Sequence, residues 1–497
     1  MNSRMNRKQY SFWLWASAAL VAGLILRLWF VNHMASVVGD SLVYGDIAKT
    51  WLQHGIYGLS ADNPTGARPT LIRLPGYPMF LAACFRLFGA ENYRAVLEAQ
   101  LAIDLCTCWL ASALAGRLFG HRARPPVLWI AALCPFTANY TSIALAETLV
   151  FATIALAFYG FARWQDAGLG YNRWLWIVAA ALSYSILLRP EQGLLSAAIL
   201  PAMLWRSLAT GESQRRPHTT AVRGALPVLA AALCIALPFI PWTARNAYIF
   251  HVFQPLAPRS ANDPGEVLLP GYGRWYRAWA IDYAATAEFN WPMDGERIDF
   301  TTLPDRAFAA TTPEASANLR SRTATLIADY NAGLTLTPEI DARFDAIAAV
   351  LIQAHPVRYH VGLPIARVLD MTLRPRTETM SVPYEWWQWR QHPAQTAFAA
   401  AYAALNLVFF AVAFTGYAAW RRRAWRSPGP PHSAYRELAT AMVASIVLRW
   451  ALLLFIVNAE PRYTLEFFPI FFVWIGALFA APMQSPDPTL VDRNDLG

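Results

Sequence analysis

Ala16-Ser17-Ala18-Ala19-Leu20-Val21-Ala22-Gly23-Leu24-Ile25-Leu26-Arg27-Leu28-Trp29-Phe30-Val31 lies in an apolar run from 11 to 31, and Gly39-Asp40-Ser41-Leu42-Val43-Tyr44-Gly45-Asp46-Ile47-Ala48 follows shortly after. A run of about 20 apolar residues is the length that crosses a bilayer as a helix. Arg4, Arg7 and Lys8 precede it and no small-residue cleavage site follows, so it reads as an uncleaved anchor. The second stretch then lies at the outer face of the membrane. There Val43, Tyr44, Ile47, Ala48, Trp51 and Leu52 make one apolar helix face, Ser41, Asp46, Lys49, Thr50 and Gln53 the other, and Gly55 is placed to end the helix.

The remainder of the chain has the same character. Of 497 residues, 56% are hydrophobic and only 15% charged, too apolar for a soluble domain of this size. The net charge of +9 comes almost wholly from arginine, since lysine occurs only at Lys8 and Lys49. Arginines placed between apolar segments act as topology signals and headgroup contacts, which argues for membrane lipids and against nucleic acid as partner. Cys84, Cys106, Cys108, Cys134 and Cys234 all fall in apolar runs, so neither a disulfide framework nor a zinc site is expected.

Apolar segments at 11–31, 94–116, 125–141, 144–163, 174–188, 192–208, 223–242, 396–420, 436–458 and 464–482 give an all-α polytopic membrane protein of about ten transmembrane helices. Positive charge clusters at Arg4 to Lys8, His121 to Arg124, Arg206 to Arg216 and Arg421 to Arg426, which puts those loops and both termini in the cytoplasm. The alternation then places Asp40, Arg73, Glu147, Arg189, Arg245 and Arg462 together on the other side. Domain boundaries follow: a transmembrane core over 1–242 with a first external loop at 32–93, an external and mostly helical insertion at 243–395, transmembrane helices at 396–482, and a disordered tail at 483–497. Residues 76–89 are too short to span and suit a helix lying in the interface.

Each charged group on the outer side has a plain reading and a chemical one. Asp40, four residues before Tyr44, either caps the amphipathic helix or accepts a proton from an attacking hydroxyl. Arg73, ahead of Leu74-Pro75-Gly76-Tyr77-Pro78, either anchors to headgroups or clamps a phosphate through paired hydrogen bonds. The same pair of readings holds for Arg189-Pro190-Glu191, for Pro241-Trp242-Thr243-Ala244-Arg245-Asn246 and for Glu460-Pro461-Arg462-Tyr463. Glu147 opens a span, where the helix dipole favours an acid, and also suits a sugar hydroxyl or a divalent ion. Arg27 is available to Glu147 or Asp40. Asp104 and Arg449 fall inside spans, are costly there unless paired, and could pair with each other. No phosphate-binding glycine loop, zinc-protease motif or nucleophile elbow is present.

In order, these motifs resemble the membrane glycosyltransferases of the GT-C superfamily, particularly the dolichyl-phosphate-mannose protein mannosyltransferase-like (family 39) and rhizobial lipopolysaccharide glycosyltransferase-like groups. The matching residues are Asp40, Tyr44 and Ala48, then Gly55-Ile56-Tyr57, Arg73 to Pro78, Glu147-Thr148, Arg189-Pro190, Pro241 to Asn246 and Glu460 to Tyr463. Where the groups often carry Asp-Glu, this chain has Asp40-Ser41. The resemblance implies a GT-C-like bundle with periplasmic amphipathic helices in a bacterial inner membrane. It further implies inverting transfer from a polyprenyl-phosphate sugar donor to a glycan, lipid or protein acceptor on the periplasmic face. Asp40 is then the catalytic base, and Tyr44, Arg73, Tyr77, Glu147, Arg189, Arg245, Arg462 and Tyr463 contact substrate. No cofactor is obligatory; a divalent cation shared by Asp40 and Glu147 is the alternative left open. A polymerase or ligase of lipid-linked glycans would use similar arginines. A transporter or flippase would place its polar groups at the midplane, where Asp104 and Arg449 fall.

Overall fold

The computed structural model describes residues 7–37, 39–211, 217–290, 295–426 and 435–480. The tail expected to be disordered, Arg4, Arg215 and Arg216 lie outside the described residues. Helix α1 (Arg7–His33) leads to two amphipathic helices, α2 (Asp40–His54) and α3 (Gly76–Phe88), bridged by a short antiparallel hairpin, β1 (Gly58–Ser60) with β2 (Ala67–Pro69), in register Leu59 to Arg68. Then come α4 (Tyr93–Phe119), α5 (Arg124–Ala132), α6 (Pro135–Asn139), α7 (Glu147–Asp166), α8 (Arg173–Leu188), α9 (Gly193–Gly211), α10 (Pro217–Ala236) and α11 (Phe239–Phe250). The following stretch holds α12 (Pro270–Arg277), the turn α13 (Tyr283–Ala285), α14 (Pro313–Gly333), α15 (Pro338–Ala354) and α16 (Leu363–Leu373). The described chain closes with α17 (Pro393–Arg426), α18 (Arg436–Leu453) and α19 (Phe468–Gly476).

Among the described residues, five helical stretches are long and apolar enough to cross a membrane: Phe12–His33, Tyr93–Phe119, Gly224–Phe250, Pro393–Ala424 and Pro461–Phe479. The chain is thus a mostly helical, polytopic membrane protein. Apolar side chains on the outside of the bundle, such as Leu229, Leu233 and Ile240 on α10 and α11 and Phe414 on α17, are more than half exposed, as lipid-facing residues are.

Several expected spans are interrupted, and proline is the common cause. The segment at 125–141 breaks between α5 and α6 at Cys134-Pro135, the one at 223–242 breaks at Leu237-Pro238, and the last begins as a 3-10 turn over Pro461–Phe467. Proline has no N–H for the preceding turn, so the helix stops or is redirected there. Asparagine side chains start two others: Asn92 Oδ1 accepts from Ala95 N at 3.1 Å, and Asn172 Oδ1 from Trp174 N at 2.9 Å.

Helix ends alternate between two poles. At one pole Arg117 pairs with Asp166, Tyr435 donates to Asp166 Oδ1 at 2.6 Å, Arg206 lies 3.8 Å from Glu437, and Arg423 donates to the Ala477 carbonyl at 2.7 Å. These contacts gather ends of α4, α7, α9, α17, α18 and the last helix. The opposite ends carry Asp40, Arg73, Glu147, Arg189 and Arg462.

Inside the bundle, Arg27 and Asp104 pair with each other, where the sequence had suggested Glu147 or Asp40 for Arg27 and Arg449 for Asp104. Arg27 donates to Asp104 Oδ2 from Nε at 2.8 Å and from Nη2 at 2.5 Å, and its Nη1 reaches the carbonyls of Gly23 at 2.9 Å and Ala132 at 2.7 Å. This ties α1 to α4 and α5, so Arg27 is unavailable to Glu147 or Asp40, and Asp104 has no need of Arg449. A buried ion pair of this kind survives because its remaining hydrogen bonds are also made.

Beyond the outer pole a second apolar core forms around Tyr272, Trp275, Trp279, Leu326, Tyr330 and Phe344. Thr312 and Thr337 cap α14 and α15 through their hydroxyls, and the Asp341 carboxylate receives the N–H groups of Gly271 and Tyr272 at 2.9 and 2.8 Å, closing the start of α12.

Candidate functional site

Asp40 is the first residue of α2 and caps nothing. Gly39, at φ 55°, occupies the capping position, and no side chain bonds the first turn. The carboxylate is spent on arginines instead: Oδ1 accepts from Arg73 Nη2 at 2.8 Å and Oδ2 from Arg462 Nη2 at 3.2 Å. Burial alone would raise this carboxyl, but Arg462 and Arg73 outweigh it and hold it down to about 2. The other end of α2 closes on Gly55 in the left-handed region at φ 68°.

Arg73 owes its position to its neighbours. Its backbone carbonyl accepts from the Tyr57 hydroxyl at 2.9 Å, and its guanidinium lies 5.8 Å from the Tyr44 ring. Three residues on, Gly76 starts α3 against the end of α8, where a methyl group would overlap the Leu187 backbone, and the Gly76 carbonyl accepts from Tyr184 at 3.1 Å. Arg73 and Arg189 are therefore fixed relative to each other by backbone packing.

Glu147, the first residue of α7, is 1% exposed, and its Oε1 receives Arg189 Nη2 at 2.5 Å with Arg462 Nη1 at 3.3 Å. Arg189 continues the line, with Nη1 3.6 Å from Glu466 Oε1, which also accepts from Arg449 Nη2 at 2.8 Å. Gln192 holds the other Glu466 oxygen at 2.6 Å, Glu191 lies 3.6 Å from Arg449, and Glu460 lies 2.5 Å from Arg462 Nε. Arg449 thus pairs with Glu466 rather than with Asp104. The Tyr463 ring packs under three guanidiniums, 5.5 Å from Arg462, 5.7 Å from Arg189 and 5.9 Å from Arg449, while its hydroxyl donates to Glu460 at 3.0 Å. A cavity of about 30 Å³ between α7, α9 and α18, lined by Glu191, Gln192, Ser445, Arg449 and Glu466, has room for water.

Four guanidiniums here face five carboxylates. Of the five, Asp40 is the carboxylate an incoming anion displaces most easily, its side chain being 32% exposed against 27% for Glu191, 6% for Glu460 and Glu466 and 1% for Glu147. No group of three or more His, Cys, Asp or Glu among the described residues is arranged to hold a metal ion. Asp40 and Glu147 meet across the Arg462 guanidinium.

Arg245 and Tyr77 lie apart from this cluster. Arg245 donates to the Thr70 carbonyl at 2.8 Å and the Tyr57 carbonyl at 2.6 Å, boxed between the rings of Tyr57, Trp242 and Phe250. It braces the first external loop, and through Tyr57 it bears on Arg73. Tyr77 is fully buried, stacks edge-on against Tyr44, and gives its hydroxyl to Gln100 at 2.7 Å. Asp46, expected to face solvent, receives Ser60 N at 2.8 Å and Oγ at 3.0 Å.

The sequence reading missed Glu466, Gln192 and the loop from Arg374 to Thr379. Glu466 had a local signal, a carboxylate four residues past Arg462 on a tight turn. The loop had none, because it comes from the external stretch. Its Arg376 is buried and donates to Asn406 Oδ1 at 2.9 Å, the Pro461 carbonyl at 2.8 Å and Thr464 Oγ1 at 2.8 Å, gripping the turn that carries Arg462. Glu378 Oε1 accepts from Tyr140 at 2.8 Å, and Thr379 meets Asn139.

Residues 68–242, which include Arg73, Glu147 and Arg189, match the family model of dolichyl-phosphate-mannose-protein mannosyltransferase. Two solved structures of ArnT from Cupriavidus metallidurans are similar at 16% identity. The one bound to undecaprenyl phosphate aligns over 89% of this chain and 76% of that chain with a TM-score of 0.35, and the apo one over 91% and 78% with a TM-score of 0.33. No curated protein matches. Over residues 68–242 the chain is thus similar to the dolichyl-phosphate-mannose-protein mannosyltransferase family.

Proposed function

We propose that this protein is an inverting glycosyltransferase that moves a sugar from a polyprenyl-phosphate donor to an acceptor hydroxyl at the periplasmic face of a bacterial inner membrane. The observation that carries the reading is the convergence of Arg73, Arg189 and Arg462 on Asp40 and Glu147 at the outer helix ends. The related segment, which supplies Arg73, Glu147 and Arg189, supports it. So does the pairing of Asp104 and Arg449 with separate partners, which leaves no shared midplane site for a transporter to use.

The chemistry follows from competition for the guanidiniums. A donor phosphate draws Arg73 and Arg462 away from Asp40. Losing two cations raises the proton affinity of Asp40, so the base becomes competent only when donor is bound. The acceptor hydroxyl attacks the anomeric carbon from the face opposite the phosphate and passes its proton to Asp40. The bond between the anomeric carbon and the phosphate oxygen breaks, and its electron pair leaves on polyprenyl phosphate, stabilised by the arginines. Glu147 holds Arg189 and Arg462 in place, and the rings of Tyr44 and Tyr463 lie beside the guanidiniums as cation–π partners. About ten spans, counting the helices interrupted by proline, put both termini on the cytoplasmic side.

The test is transfer by purified full-length protein in lipid nanodiscs, using polyprenyl-phosphate hexoses and pentoses with glycan, lipid and peptide acceptors. A product with inverted anomeric configuration by NMR supports the reading. A retained configuration, or no transfer from any donor, overturns it.

A further inference from the structure

The arginines account for a phosphate and leave the sugar it carries unheld. Two carboxylate oxygens near them are buried without a hydrogen-bond partner, Glu147 Oε2 and Glu378 Oε2. Such orphans are rare in folded proteins and call for a donor. Both flank Tyr140. Its hydroxyl is on Glu378 Oε1 at 2.8 Å, its backbone carbonyl accepts from Thr148, the residue after Glu147, at 3.2 Å, and the charged groups around it are Glu378, Glu147 and Arg462.

Glu378 is held on both sides. Arg376, two residues earlier, grips the turn carrying Arg462, and Thr379, one residue later, is bonded to Asn139 at the end of α6. A carboxylate fixed this way, beside the phosphate-binding cluster, is built to orient something rather than to float in solvent. We propose that Glu378, together with Glu147 across Tyr140, forms the saccharide subsite, its free oxygen accepting a hydrogen bond from a sugar hydroxyl. Burial pushes the Glu378 carboxyl upward, against the pull of Arg376, so a hydroxyl donor offsets part of the cost of keeping it charged. A hydroxyl also fits better than a cation, because Arg462 and Arg376 already supply positive charge there. The proposal rests on the transferase reading; the hydroxyl belongs either to the donor's sugar or to a sugar acceptor.

The experiment compares wild type with Glu378→Ala and Glu378→Gln in nanodiscs, using a polyprenyl-phosphate sugar that wild type turns over and its single-deoxy analogues. The expected result for Glu378→Ala is a KM raised roughly tenfold to a hundredfold for one co-substrate, the size of one charged hydrogen bond, with a smaller change in kcat. Which KM moves identifies donor or acceptor. One deoxy analogue should lose no further affinity in the variant, and Glu378→Gln, whose single oxygen is shared between Tyr140 and the sugar hydroxyl, should recover only part of the loss. Binding of sugar-free polyprenyl phosphate should be unchanged. Unaltered KM values, or an equal loss for the parent sugar and every deoxy analogue, would overturn the proposal. If the alanine variant does not fold, Glu378→Asp, which withdraws the carboxylate by one methylene, gives the same comparison. Wild-type protein that neither transfers sugar nor binds polyprenyl phosphate would instead overturn the transferase reading, and the subsite with it.

Discussion

Asp40 shows how a residue's role depends on what it meets. Its position at the start of a helix suggests a cap, yet Gly39 takes that place and the carboxylate bridges two guanidiniums. Because those arginines hold its folded pKa down to about 2, below the ordinary carboxyl value near 4, the stabilisation it brings is fully present above pH 4 and is lost as pH falls through about 2. The difference in melting temperature between wild type and Asp40→Asn should therefore be constant from pH 5 to 8 and vanish only in strong acid. A difference that fades between pH 5 and 7 would contradict the double pairing. Tyr57 and Arg245 act at one remove, through the Arg73 carbonyl. Tyr57→Phe should raise KM for the donor by roughly five- to tenfold, the loss of one neutral hydrogen bond, and should add nothing in an Arg73→Ala background. Additive effects would mean that Tyr57 serves stability alone.

At the scale of elements, much of the site was legible in the sequence, for a physical reason. Glu147, Arg189 and Arg462 each sit where an apolar run begins or ends, two of them next to proline, and Arg73 lies in the external loop just ahead of the interfacial segment 76–89, so topology alone gathers them at one pole. Arg245 satisfied the same rule yet turned inward, because the rings of Tyr57, Trp242 and Phe250 offered it an aromatic box that no spacing rule anticipates. Glu378 satisfied no rule; its distance from Tyr140 in sequence hides a contact that only the folded loop creates. The abutment of α3 on α8 is a further consequence of one residue. Gly76→Ala should destabilise the protein by about 1–3 kcal/mol through overpacking, read as a lower melting temperature in detergent. An unchanged melting temperature would show that the two helices can part without cost.

For the whole molecule, two poles joined by alternating helices organise everything else. Arg27 and Asp104 lock α1 to α4 and α5 in the interior, and Asp104→Asn should cost about 3–5 kcal/mol by leaving a buried guanidinium without its counter-charge. An apolar replacement of both partners, Arg27→Met with Asp104→Leu, should recover most of that loss. Thermal unfolding of the three proteins decides it, and a double variant no better than the single one would contradict a purely structural role. The ten-span reading makes a separate prediction about sides. A cysteine at Asp62, exposed on the first loop, should react with an impermeant maleimide in intact spheroplasts, and one at Arg122 only after lysis. Finally, the central claim is that Asp40 takes the acceptor's proton once the donor phosphate has drawn its arginines away. Single-turnover transfer by Asp40→Asn with saturating polyprenyl-phosphate sugar measures this most directly. The account predicts a rate lower by about 10²–10⁴ with donor affinity kept or improved; transfer at the wild-type rate by donor-loaded Asp40→Asn would contradict it.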